Sequence, residues 1–161
     1  MLIWFLIIIG TIVLDQVTKW LAVEFLTKVE TIPIIKDVLH LTYLENTGAA
    51  FGILKNNRWV FLVISTIAII AIVFYLIKFP PKNKWLGFGL SFFAGGGIGN
   101  MIDRILLGYV VDFVDFRLID FAVFNIADSF VCIGAALMVI YIFFFSEDKK
   151  KEVKNGSDTE G

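Results

Sequence analysis

The chain has 161 residues, 58% of them hydrophobic and 18% charged, with a formal net charge of −1. Soluble domains average about 45–50% apolar and about 25% charged residues, so this composition, with a mean hydropathy of +0.85, points to a membrane protein. The balanced charge excludes a basic nucleic-acid-binding face, and a single cysteine beside a single histidine excludes an intrachain disulfide and a zinc-type Cys/His cluster.

Residues 2–23 are the first stretch that can cross a hydrocarbon core about 30 Å thick, which takes about 20 apolar helical residues. The stretch lacks a positive leading region and a small-residue cleavage site, so it is expected to be a retained helix rather than a signal peptide. Asp15 and Lys19 sit near its far end, four apart and on one helix face. They form either an ion pair that lets two charges tolerate the membrane edge or one wall of a pocket. Residues 24–58 are too polar to span. Within them Thr31-Ile-Pro-Ile-Ile35 and Val38-Leu-His-Leu-Thr-Tyr-Leu44 predict two short strands. A small sheet lying on the membrane surface would satisfy its own backbone groups there. His40 reads as a satisfied residue of that surface rather than a base or ligand.

A second span, 59–77, is stopped by Phe79-Pro80-Pro81, because proline cannot continue helical bonding. A third covers 85–107 and ends at Gly108. A fourth covers 121–145 and holds Cys132, expected to be a small buried apolar residue. The charged, Gly/Ser-bearing stretch 146–161 predicts a disordered cytoplasmic tail. Lys78, Lys82 and Lys84 fill the link between spans two and three, and Lys149, Lys150, Lys151 and Lys154 follow span four. Basic residues favour the cytoplasm, so that link and both termini are assigned there. Lys28, Lys36, Lys55, Arg58 and Arg117 on the other side make the bias moderate. The expected fold is mainly α: one membrane domain over 1–145, built as a four-transmembrane-helix bundle with a small β-rich extracytoplasmic cradle between helices 1 and 2.

On this topology the unusual polar residues all converge on the extracytoplasmic face. An ionisable residue in hydrocarbon costs at least about 2.5–3.5 kcal/mol on insertion scales, so each marks a functional site by default. Asn100, Asp103 and Arg104 share a face at i, i+3 and i+4, with Asp103 and Arg104 read as structural partners. Before them, Gly95-Gly-Gly-Ile-Gly99 suits close helix packing better than phosphate binding, since no strand precedes it. Asp115, Arg117 and Asp120 read as a solvated loop. Asp112 follows Val110-Val111, and Asp128 falls in the first turn of the fourth helix, where the macrodipole favours an anion. Two carboxylates close together in a low-dielectric site share a proton and can activate water and protonate a leaving amine. Helix capping by Asp128 and a loop turn at Asp112 stay open as the alternative.

Five blocks in order carry a resemblance: Asp15-Gln-Val-Thr-Lys19, Asn46-Thr-Gly-Ala-Ala-Phe-Gly52, Gly99-Asn-Met-Ile-Asp-Arg104, Val110-Val-Asp-Phe113 and Phe124-Asn-Ile-Ala-Asp-Ser129. They resemble the signature blocks of the bacterial lipoprotein signal peptidase (signal peptidase II) family. The resemblance implies an intramembrane-type aspartyl endopeptidase of the bacterial cytoplasmic membrane. It would remove signal peptides from prolipoproteins before a diacylglyceryl-modified cysteine, with no metal or cofactor. It would act as a monomer among membrane lipids. Asp112 and Asp128 would be the catalytic pair. Asn46, Gly48, Asn100, Arg104 and Asn125 would surround the peptide and the catalytic groups, and Asp15 and Lys19, with Asp103, would support the site. A small proton-coupled transporter using Asp103, Asp112 and Asp128 as a relay is the competing reading, and a non-catalytic membrane scaffold is the third. Transport predicts midplane sites and internal repeats, and neither is evident.

Overall fold

A computed structural model describes residues 1–29, 31–48 and 58–157. Ala49 to Gly52 of the second block, Lys55 and residues 158–161 lie outside the described residues. Helix α1 runs Leu2–Leu26, strand β1 Ile32–Ile35, β2 Leu39–Asn46, helix α2 Arg58–Lys78, α3 Lys84–Leu106, β3 Val110–Phe116 and α4 Ile126–Ser157, with a 3-10 turn at Arg117–Ile119 before α4.

Helices α1, α2 and α4 are long and apolar enough to cross a membrane, over Leu2–Leu26, Trp59–Lys78 and Ile126–Phe145. The expected third span, α3, forms as a helix of 23 residues but does not reach that apolarity. The reason is positional. α3 packs against α1, α2 and α4 at once, and it spends its positions on glycine, Asn100, Asp103 and Arg104 rather than on lipid-facing side chains. The other helices turn large apolar residues outward, such as Val13 and Val17 on α1 and Ile64 and Ile67 on α2. The buried stripe of α1 is the reverse: Thr11, Asp15 and Lys19 sit between Ile8 and Ala22 at helical spacing. Asn83 caps α3 by accepting the Trp85 N–H at 2.8 Å. Gly108, at φ 88°, follows its end in the left-handed conformation that only glycine adopts without strain.

The glycine run is packing, as its spacing suggests. A Cβ at Gly96 would overlap the Ala127 carbonyl of α4, and one at Gly99 would overlap the Asp15 carboxylate of α1. The backbone of α3 therefore touches both neighbours at the level where the polar residues gather.

The sheet is antiparallel in the order β1-β2-β3. Its first two strands fall where the sequence places them. The third was not anticipated: β3 comes from the link between α3 and α4, so the sheet is not confined to the segment between helices 1 and 2. Its register sets Leu44 opposite Asp112 and Asn46 opposite Val110. A seven-residue strand shows itself only through its partner, which a local reading lacks. Helix α4 starts at Ile126 rather than 121, because Phe124 bridges Val114 and extends the backbone up to Asn125. The α4 backbone stays helical through 146–157, where the charged composition predicted a disordered tail; lysine and glutamate are good helix formers.

Gly99→Ala should destabilise the fold by about 1–3 kcal/mol, the usual effect of overpacking. Gly10→Ala on α1, with nothing within 4 Å of the added methyl, should be neutral or slightly stabilising. Thermal unfolding in detergent checks the pair, and equal stability of the two variants would contradict the packing account.

Candidate functional site

Strand alternation delivers the first carboxylate. Val111 and Phe113 pack on Ala22 and Leu26 of α1, so Asp112 between them points to the other face of the strand. There it is 1% exposed and lines a cavity of about 570 Å³. The cavity is also lined by Asn46, Phe61, Asn100, Arg104 and Asp128, and then by apolar residues such as Phe121, Val131 and Ile133. One end is polar and the rest is hydrocarbon-like.

A capping box delivers the second carboxylate. Asn125 Oδ1 accepts the Asp128 N–H at 2.9 Å, and Asp128 Oδ2 accepts the Asn125 N–H at 3.2 Å. The capping role and the cavity role of Asp128 therefore coexist. One oxygen closes the helix start, and Oδ1 accepts from Asn100 Nδ2 at 2.8 Å. Asn125 is fully buried and bridges the two acids: its Nδ2 donates to Asp112 Oδ1 at 2.6 Å and to Asn100 Oδ1 at 3.1 Å. Asn46 Nδ2 donates to the other oxygen of Asp112 at 2.8 Å. Burial pushes the Asp112 carboxyl up to about 6; the Asn46 bond opposes this, the Asp128 charge adds to it, and the Asn125 bond and the Lys19 charge oppose it.

Arg104 lies beside this pair rather than on it. It donates from Nη1 to the Asn100 carbonyl at 3.2 Å and from Nη2 to the Gly48 carbonyl at 3.1 Å, and its guanidinium stacks 4.9 Å from the Phe61 ring centroid. Gly48 in turn donates its N–H to Asn46 Oδ1 at 2.9 Å, which leaves the Asn46 amino group for Asp112.

Behind the cavity is a second polar layer. Lys19 Nζ lies 2.9 Å from Asp15 Oδ2 and 3.0 Å from Asp103 Oδ2, and it donates to Asn100 Oδ1 at 2.8 Å. Asp15 Oδ1 accepts the Ala127 N–H of α4, and Asp103 Oδ2 accepts the Val111 N–H of β3, both at 3.0 Å. Asp15 and Lys19 are thus an ion pair that also backs the site. Asp103 finds its cation on α1, not in the adjacent Arg104, because the Val111 N–H and Lys19 meet it on the side away from the cavity. Gln16 was missed. It donates to Asp15 Oδ2, the Gly99 carbonyl and Asp103 Oδ1 at 3.0–3.2 Å, and its place between Asp15 and Lys19 in the first block was the signal that could have found it.

Three further readings change. Cys132 is exposed on α4 and lines the cavity instead of being buried, since α4 turns that face away from α3. Asp115 is 8% exposed in β3, not in a solvated loop. Partial burial pulls its carboxyl up, but Arg117 Nε and Thr42 Oγ1, each at 2.8 Å, outweigh that and hold it below the usual range. His40 is satisfied as expected, with Asp37 N–H donating to Nε2 at 3.3 Å and Thr31 Oγ1 at 3.3 Å from Nδ1, but it is buried on the central strand β2 rather than lying on the surface.

A pair of carboxylates held by amide donors thus lies at the polar end of an apolar cavity, in a bundle with lipid-suited helices. A family model described as signal peptidase (SPase) II matches residues 7–144. Curated relatives include the lipoprotein signal peptidases of Brevibacillus brevis, 46% identical over 87% of this chain and 95% of that one, and of Clostridioides difficile, 44% identical over 92% of this chain and all of that one. A solved bacterial membrane enzyme superposes with a TM-score of 0.81 at 36% identity, covering 91% of this chain and 90% of its own. The chain belongs to the signal peptidase II family.

Asp103→Asn should remove about 1–3 kcal/mol of stability, the effect of unsatisfying buried polar partners, and not the larger loss of a broken ion pair, because Lys19 keeps Asp15. Unfolding in detergent measures it; a variant as stable as the parent would contradict the assigned partners.

Proposed function

We propose that this chain is an aspartic endopeptidase that removes signal peptides from prolipoproteins, cutting before the diacylglyceryl-modified cysteine. The observation that carries the reading is that Asp112 of β3 and Asp128 of α4 line one cavity and are tied together by the Asn125 amide. In the reaction one carboxylate takes a proton from water as its oxygen attacks the scissile carbonyl carbon. The other gives its proton to the carbonyl oxygen. Collapse of the tetrahedral intermediate breaks the C–N bond and passes a proton to the leaving amine. Asn46, Asn100 and Asn125 hold the acids, and Gly48 and Arg104 border the peptide.

The same reading extends to topology. α3 crosses the membrane with the other three helices, since 23 residues at about 1.5 Å each span the hydrocarbon. The termini lie in the cytoplasm and the cavity faces the extracytoplasmic side of the bacterial cytoplasmic membrane, as the lysine distribution favours. The protein works as a monomer. The apolar walls by Phe121 and Val131 suit a substrate whose acyl chains stay in lipid while its peptide enters the polar end.

Asp112→Asn and Asp128→Asn should each lower turnover of a lipidated prolipoprotein by about 10²–10⁴-fold while the protein still folds, with the double variant little worse than either single one. Near-normal turnover by a single variant would remove that residue from the chemistry. A prolipoprotein lacking diacylglycerol should be cleaved far more slowly in the same membranes, since each buried methylene contributes about 0.8 kcal/mol of anchoring. Equal rates at matched membrane density would rule out lipid-dependent presentation.

A further inference from the structure

Lys19 does not line the cavity, yet its ammonium is one amide from Asp128 and two from Asp112. Its three donors go to Asp15, Asp103 and Asn100. An ammonium only donates. Asn100 must therefore turn its oxygen to Lys19 and its amino group to Asp128. Asn125 must then offer one N–H to Asn100 Oδ1, which leaves the other for Asp112 Oδ1, while its oxygen takes the Asp128 N–H. The orientation of both amides, and so the donors that the two acids receive, is set from Lys19. A charge at one end of such a chain also polarises every bond along it.

We propose that Lys19 is a positioning residue of the carboxylate pair: its charge, relayed by the Asn100 amide, fixes the donors that both acids receive and eases release of the proton they share. This rests on the endopeptidase reading. Among the described residues, the charged groups that face Asp112 are Asp128 from α4, Lys19 from α1 and Arg104 from α3, while β2 presents the neutral Asn46. Asp15 and Asp103 face Lys19 on its far side. Lys19 pulls the Asp112 carboxyl down, against burial and Asp128. Arg104 acts in the same direction but borders the cavity, so replacing it would also disturb substrate. Lys19 lies outside the cavity, so replacing it removes no group that borders the substrate.

The test is kcat/KM against pH for purified full-length protein and a lipidated prolipopeptide. The alkaline limb reports loss of the pair's shared proton in the free enzyme. Lys19→Gln should move that limb to higher pH by about half to one unit, less than the 1–3 units of a directly adjacent charge. Lys19→Gln leaves Asp15 and Asp103 without their cation, so the second variant is Asp15→Asn with Lys19→Gln. It exchanges the ion pair for an amide pair, while Asp103 keeps Gln16 and the Val111 N–H. The limb should move up in this variant as well. A merely structural role lowers the whole profile and leaves the limb in place, and that result in a folded variant overturns the proposal. Asp112→Asn is measured in parallel. Turnover by it at the parent's rate overturns the endopeptidase reading, whereas an inactive Asp112→Asn with an unmoved limb in the Lys19 variants overturns only the role of Lys19.

Discussion

The buried ammonium of Lys19, held between Asp15 and Asp103, is the constraint on which the rest depends. Removing charges from water costs several kcal/mol per ion, and attraction repays it only when the remaining lone pairs and protons are also bonded. Here they are. Two carboxylates face one cation, and the surplus negative charge is met by the Ala127 and Val111 N–H groups and by Gln16. Each of those donors belongs to a different element. Satisfying one charge cluster therefore pins α1 to α3, to the start of α4 and to β3. The close approach this needs explains why α3 carries Gly96 and Gly99 where a methyl group would collide with its neighbours.

From that anchor the two acids follow. The Val111 N–H held by Asp103 fixes the strand from which Asp112 points into the cavity. The Ala127 N–H held by Asp15 fixes the turn from which Asp128 points into it. Four amide or backbone donors then occupy the four carboxylate oxygens, one each. Neutral donors stabilise the acids without neutralising either, which suits the proton-transfer role proposed for the pair. The exterior has the opposite chemistry, with large apolar side chains facing out on α1, α2 and α4. The molecule is a polar site wrapped in lipid-compatible helices.

Much of this was legible in the sequence because charge inside an apolar span is costly and therefore conspicuous. The four helices, the first two strands, the packing glycines and the convergence of Asp15, Lys19, Asn100, Asp112 and Asp128 could all be read locally or by resemblance. What escaped depends on partners distant in the chain. β3 exists through its register with β2. Asp103 pairs with a lysine 84 positions away instead of the arginine beside it. Asp115 is buried because Arg117 and Thr42 close over it. The weak apolarity of α3 reflects its central position, and helix length alone could not reveal that. Gln16 escaped because its bonds to Gly99 and Asp103 reach across to α3, 83 and 87 positions away.

The central claim is that Asp112 and Asp128 act as one unit holding a single proton. Infrared difference spectroscopy of the protein across pH 5 to 8 tests it most directly, by following the carbonyl stretch of protonated carboxyl groups. The account predicts one such band that titrates near pH 6, where burial sets the Asp112 carboxyl, and that is lost in Asp112→Asn. A pair fully ionised throughout that range, or a band untouched by that substitution, would contradict it.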